Sequence, residues 1–189
     1  PVGLPASPKG MLMTLRDKTL VAWVKLANLE QRGGAVLTVE RQGRFDAIVY
    51  GEVAPGRWMA GSDGFRRTQR QQDACPAETA GRAQVVQIAA VYRGSEVTVV
   101  RDGQVYAHHT VETPQEFAEP FVVLIGKRHV GAGGPAHFAG AVLDARIYAE
   151  ALTGAELANL TPGAAPAPQP YAWWCFSDPD PRDRMGRLR

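Results

Sequence analysis

Trp58, Asp63, Phe65 and Arg66 stand close together and combine the residue types that hold sugars. An aromatic ring stacks on the apolar face of a sugar, and carboxylate or guanidinium groups in a concave site fix its hydroxyls. The four fall where a short strand at 57–60 (RWMA) runs into the longest irregular stretch, 61–82 (GSDGFRRTQRQQDACPAETAGR). A loop longer than roughly 12–15 residues in a compact domain is commonly functional. Two readings of it stand side by side. Either Arg66, Arg67 and Arg70 form a basic, phosphate-binding patch, or the stretch is a solvated surface loop. Trp58 is likewise either a stacking platform or a core residue, whereas Trp23 and Tyr148 read as core.

Other chemical motifs fail on geometry. The GAGG at 131–134 is followed by a strand and by no Gly-Lys-Ser/Thr, so it is not a phosphate loop. His108 and His109 are adjacent on a strand and point to opposite faces, so they cannot share a metal. His129 and His137 flank one loop, which makes them a weak metal pair. The acids read as most exposed are Asp46, Glu52, Asp63 and Glu78, and they lack the E-x-D-x-E spacing of sandwich glucanases. No GxSxG, HExxH or cysteine–histidine cluster occurs. The sequence therefore offers no catalytic constellation.

The elements that must position these residues are strands. Residues 19–26 (TLVAWVKL), 34–41, 45–53 and 84–92 read as strands, as do 96–101, 104–111 and 121–127. Gln42-Gly43 and Asp102-Gly103 mark tight hairpins. Residues 138–160 (FAGAVLDARIYAEALTGAELANL) begin as a strand, with Val142, Asp144 and Arg146 on one side and Leu143, Ala145 and Ile147 on the other. A short helix follows. Thr153 and Glu156 form a capping box, and Leu152 and Leu157 form a hydrophobic staple. Residues 1–10 read as a lead-in and 164–170 (AAPAPQP) as a Pro/Ala linker. Residues 171–189 turn aromatic again, with Trp173 to Phe176 consecutively apolar. They are either an extra strand of this sandwich or the start of another.

The 189 residues suffice for one domain with a sizeable core, and 45% hydrophobic with 21% charged residues is an ordinary globular balance. A net charge of +2 argues for neither nucleic acid nor membrane as a partner. No apolar run approaches the roughly 20 residues of a membrane span. No signal peptide is visible in residues 1–9. Cys75 and Cys175 form one bridge or remain two buried thiols.

The closing segment resembles the laminin G-like (concanavalin A-like lectin) family, whose late strand reads F-x-G-x-I-D-x-x-R-I-Y-x-x-A-L-S-x-x-E-I-x-x-L. Phe138, Gly140, Arg146, Ile147, Tyr148, Ala151, Leu152, Glu156 and Leu160 match as they stand. The early TLVAWVKL strand and the strand ending in Asp102-Gly103 agree with it too. The resemblance implies an all-β, antiparallel two-sheet sandwich (jelly roll) over 1–163 with one short C-terminal helix. It also implies a carbohydrate-binding or accessory module, or alternatively a protein-interaction module, in an extracytoplasmic or secreted setting. Calcium is common in the family, but the family acid falls at Leu143, which leaves Asp144 as the only metal candidate. The stretches RWMAGSDGFRRT and WWCFSDPDPRDRMGRL resemble the accessory sandwich of bacterial glycoside hydrolases, notably family-32 β-fructosidases. Their W-M-N-D-P-N-G signature is absent. Any hydrolase activity would therefore lie outside these residues, in a catalytic domain or partner chain for which this chain supplies docking surface.

Overall fold

The computed structural model describes residues 13–188, so the lead-in expected at 1–10 lies outside the described residues. Along the first half of the chain run β1 (Thr14–Leu15), β2 (Lys18–Leu26), β3 (Gly34–Arg41), β4 (Arg44–Tyr50) and β5 (Trp58–Ser62). Then come β6 (Val86–Arg93), β7 (Glu96–Arg101), β8 (Gln104–Thr110), β9 (Phe117–Ala118) and β10 (Val122–Ile125). The chain closes with β11 (Gly140–Tyr148), helix α1 (Gly154–Asn159) and β12 (Ala172–Cys175). Both expected hairpins form. Gln42 and Gly43 have φ of 52° and 77°, and Asp102 and Gly103 have 47° and 75°, the left-handed pairs of a two-residue turn that suits twisted strands.

A six-stranded sheet, β12-β11-β2-β6-β7-β8, packs on a four-stranded sheet, β10-β3-β4-β5, and β1 pairs with β9 in a small ribbon. The pairings are antiparallel, so the expected sandwich is what the chain builds. Period-two alternation places Leu20, Ala22, Val24 and Leu26 of β2 on the inner face, against Leu37, Val39, Ile48 and Tyr50. On the outer face of the larger sheet, Val21, Trp23, Ala89 and Tyr148 lie under Leu152, Leu157 and Leu160 of the helical segment. The capping box at Thr153 and Glu156 sets the start of that helix.

The simple alternation expected for β11 needs a correction. Val142 pairs with Val24 and Asp144 with Trp23, leaving Leu143 as an extra residue in a β-bulge. Val142 consequently packs with the inner core, while Leu143 joins the outer cluster. Downstream the phase recovers, with Ala145 and Ile147 inward and Asp144 and Arg146 outward.

Two carboxylate clamps close the flanks. On one side the long loop after β5 returns Glu78 to the sandwich edge. One Glu78 oxygen accepts the Trp58 indole N–H at 2.7 Å and the Arg101 Nε at 2.8 Å, and the other accepts Ala80 N at 2.9 Å. On the other side β12 adds to β11, pairing Trp174 with Ala145 and Trp173 with Arg146. Arg146, fully buried, lies between the Trp23 ring (4.8 Å) and the Trp173 ring (4.9 Å), and Arg184 covers the far side of Trp173 at 4.3 Å. Asp183 accepts the backbone N–H groups of Trp173, Met185, Arg187 and Leu188. That turn lays residues 183–188 along the edge of β12, where Arg184 N donates to Trp173 O at 2.7 Å. An exposed strand edge is thereby covered. Cys75 and Cys175 are buried free thiols. No helix among the described residues is long and apolar enough to cross a membrane.

Two outcomes follow from these clamps. Removing residues 171–189 strips the cover from Trp23, Arg146 and the β11 edge, and should lower the Tm or cause aggregation; an equally stable, monomeric truncation would contradict this packing. Burial alone would raise the Glu78 carboxyl, but the Arg101 fork, the Trp58 indole and Ala80 N–H outweigh it and bring the pKa down to about 2. A folded-state pKa below the unfolded one stabilises above the unfolded value and is lost as pH falls through the folded one. The unfolding free energy from urea titrations should therefore fall between about pH 4.5 and 2, by up to roughly 3 kcal/mol. Glu78→Gln should flatten that dependence, and an unchanged slope would contradict the clamp.

Candidate functional site

Both outer faces of the sandwich are largely covered. On the small sheet, Ala47, Val49 and Met59 lie buried, with Phe65 packed on them from one side. From the other side a strap after β10 places His129 on Phe45, ring centroids 4.9 Å apart, while Val130 N donates to Glu40 at 2.6 Å. The larger sheet carries the helix and the tail. Beside the helix remains a groove of about 200 Å³ lined by Arg93, Glu96, Thr98 and Val105. A wider basin of about 580 Å³ opens at one end of the sandwich.

Three chain reversals build the basin. Arg44 leads β4 out of its hairpin. Asp63, Arg66 and Arg67 come from the turn that ends β5, and Thr110, Glu112, Thr113 and Gln115 from the segment that leaves β8. Behind the rim lies a charge cluster on the inward phase of the strands. Lys18 sits 3.0 Å from one oxygen of Asp46, and Arg67 Nε donates to the other at 2.8 Å. These three side chains are at most 5% exposed. Arg67 Nη2 reaches on to Asp63 at 2.6 Å and to Phe45 O at 2.9 Å. Lys18 also donates to Gln115 O at 2.8 Å and lies over the Tyr92 and Phe117 rings. One connected network thus holds both the loop after β5 and the segment after β8.

The electrostatics follow from that packing. Burial pushes the Lys18 ammonium down, against the upward pull of Asp46. Burial also opposes the Arg67 charge, but Asp46 and Asp63 outweigh it and leave Arg67 above its ordinary value. For Asp63, burial acts upward, and the Arg67 guanidinium with Phe45 N–H overcomes it to hold the carboxyl below the usual range. His109, pushed down by burial, ties β8 to Arg67 O at 3.0 Å. The four linked charges compensate one another. Arg44 and Arg66 stay outside the cluster and exposed. Arg44 makes only a 3.4 Å contact to Gln115, and Arg66 has no side-chain partner among the described residues.

The four sugar-site candidates are thus separated. Asp63 and Arg66 line the basin. Trp58 does not: it is fully buried against Tyr50 and Phe138, with its indole nitrogen spent on Glu78. A ring in the core cannot stack on a ligand, so Trp58 as a platform is corrected. Phe65 packs on the outer cluster with Arg70 over its ring at 5.2 Å, and does not line the basin. The basic patch divides as well, since Arg67 reaches the basin wall but is tied to Asp46 and Asp63, Arg70 covers Phe65, and Arg66 lines the basin without a carboxylate partner among the described residues. Asp46 and Glu78, read as exposed acids, are buried ion-pair partners. Sequence reading missed Arg44, Thr110 and Gln115, which carry no motif of their own.

Asp144 does not fit a calcium site. It is fully buried, and its oxygens accept from Arg146, Gly163 N and the Trp173 indole at 2.7–3.1 Å. Calcium needs six to eight accessible oxygens. No group of three or more His, Cys, Asp or Glu side chains among the described residues is placed to hold a metal.

Residues 5–158 match the family model of the concanavalin A-like lectin/glucanases superfamily, in its laminin G type. A comparison with curated proteins found no match. A candidate carbohydrate-binding protein from Bacteroides ovatus superposes with a TM-score of 0.70 at 15% identity. The superposition covers 95% of this chain and 52% of that one, so the chain spans about half of its length. The CBM40 of the Ruminococcus gnavus IT-sialidase, solved with α2,3-sialyllactose, gives 0.53 at 16% identity, over 76% of this chain and 82% of that one. The SAP-like pentraxin of Limulus polyphemus gives 0.51 at 16%, over 78% and 70%. Likenesses at these identities show the fold.

Rim and floor should respond oppositely to substitution. Arg66→Ala should leave stability within about 0.5 kcal/mol, as for an exposed unpaired residue. Asp46→Ala strands two buried cations and should cost about 3–5 kcal/mol. Urea denaturation measures both, and a mild Asp46→Ala would contradict the network.

Proposed function

The chain belongs to the laminin G-type family of the concanavalin A-like lectin/glucanases superfamily, and from that premise we propose that it is a non-catalytic carbohydrate-binding module. Its site is the basin at the end of the sandwich. The observation that carries this reading is an exposed Arg66 without a side-chain partner among the described residues, beside an Asp63 held in place by Arg67. A carboxylate fixed in this way accepts from sugar hydroxyls without first losing rotamer freedom, and the Arg66 guanidinium beside it supplies donors. Arg44, Thr110 and Gln115 add donors and acceptors around them. Asp46 and Asp63 are both engaged by Arg67, so neither is free to act as acid or base, and at the basin among the described residues only Glu112 is a carboxylate without such a partner.

In this reading residues 1–163 are the sandwich, 164–170 a connector and 171–189 a strand of the same domain. The module serves a glycoside hydrolase outside the cytoplasm, and the hydrolytic residues lie beyond this chain. The resemblance of RWMAGSDGFRRT and of the tail to hydrolase accessory sandwiches supports that placement.

A glycan array tests the reading. The protein should bind a defined subset of glycans, and the Arg44→Ala/Arg66→Ala variant should lose the signal while keeping the wild-type Tm. A folded protein that binds no glycan, or a double variant that binds unchanged, would overturn it.

A further inference from the structure

We infer that the glycan taken by the basin is acidic, its sugar rings carrying anionic oxygens as carboxylate or sulfate ester. The inference rests on reading the basin as a glycan site and adds the chemistry of the ligand. Three observations carry it. First, the charges on the floor cancel: Lys18 and Arg67 face Asp46 and Asp63. What remains at the rim is Arg44 and Arg66 against the single carboxylate of Glu112, an excess of positive charge. Second, neither rim guanidinium is neutralised by a protein carboxylate among the described residues, although ten other cation–carboxylate contacts do form there. An arginine fork matches a planar or tetrahedral oxyanion in two-point contact.

Third, the usual means of holding a neutral sugar is missing. No aromatic side chain among the described residues lines the basin; Trp58 is in the core and the Phe65 ring lies under Arg70. Without an open ring to stack on, affinity has to come from hydrogen bonds and charge. A neutral sugar exchanges its water contacts for protein contacts at little net gain, whereas an anion meets two waiting cations.

Affinity chromatography at about 0.15 M salt on polygalacturonate, dextran sulfate and plain dextran decides the matter. Retention on polygalacturonate identifies the carboxylate, and retention on dextran sulfate the sulfate ester. Retention on either should weaken as salt rises, and by about tenfold for each of Arg44→Ala and Arg66→Ala. Arg82→Ala, an exposed arginine at the opposite end of the sandwich, should change nothing. Retention on plain dextran that ignores salt would overturn the inference, as would failure on both acidic matrices or an equal loss in Arg82→Ala. A protein that binds neutral glycans on the array would refute the acidic ligand and leave the glycan site standing. One that binds no glycan at all would remove both.

Discussion

Asp46 sits on the inward face of a sandwich, where its strand neighbours Ile48 and Tyr50 are apolar, and the end of the molecule is organised around it. A lone buried carboxylate in such a place would cost several kcal/mol in lost solvation. Two cations repair that, and they come from opposite directions: Lys18 opens β2 in the facing sheet, and Arg67 returns from the loop after β5. The contact therefore fastens sheet to sheet and loop to sheet together. Arg67 then hands on its remaining donors to Asp63 and Phe45 O, which shapes the turn bearing Arg66. The rim of the basin is a consequence of how this one charge is compensated.

The flanks repeat the chemistry. Glu78 and Asp144 each receive an arginine fork, a tryptophan indole N–H and a backbone N–H. Glu78 thereby locks the long loop over one open edge, and Asp144 locks the tail over the other. Each carboxylate stands where irregular chain crosses the end of a sheet and hydrophobic burial alone would not fix its position. The sandwich itself is apolar and generic, whereas its closures are ionic and specific. Such buried pairs add little net stability, yet removing one partner is costly, so they define geometry more than they raise the melting point.

Much of this architecture was readable from residues. Strand alternation, the two hairpin dipeptides and the Thr153–Glu156 box located most elements, since each acts locally. The bulge at Leu143 was not legible, because an extra residue in β11 depends on its pairing with β2. The lining of the candidate basin was half legible. Asp63 and Arg66 were placed because they follow a strand end, but Trp58 looked the same in sequence whether it met a ligand or Glu78. Arg44, Thr110 and Gln115 come together only through tertiary packing. One signal did exist: Lys18 and Asp46 occupy the inward phase of otherwise apolar strands, and opposite charges in such positions announce a buried pair.

In the proposed function ligand binds at the end basin and not on a sheet face. Amide chemical-shift mapping by NMR, with a glycan that the protein retains, tests it most directly. The amides of Arg44, Arg66, Thr110 and Gln115 should shift with one shared dissociation constant, while those of Thr98, Val105 and His108 stay in place. Shifts confined to Thr98, Val105 and His108, on the open face of β7 and β8, would contradict it.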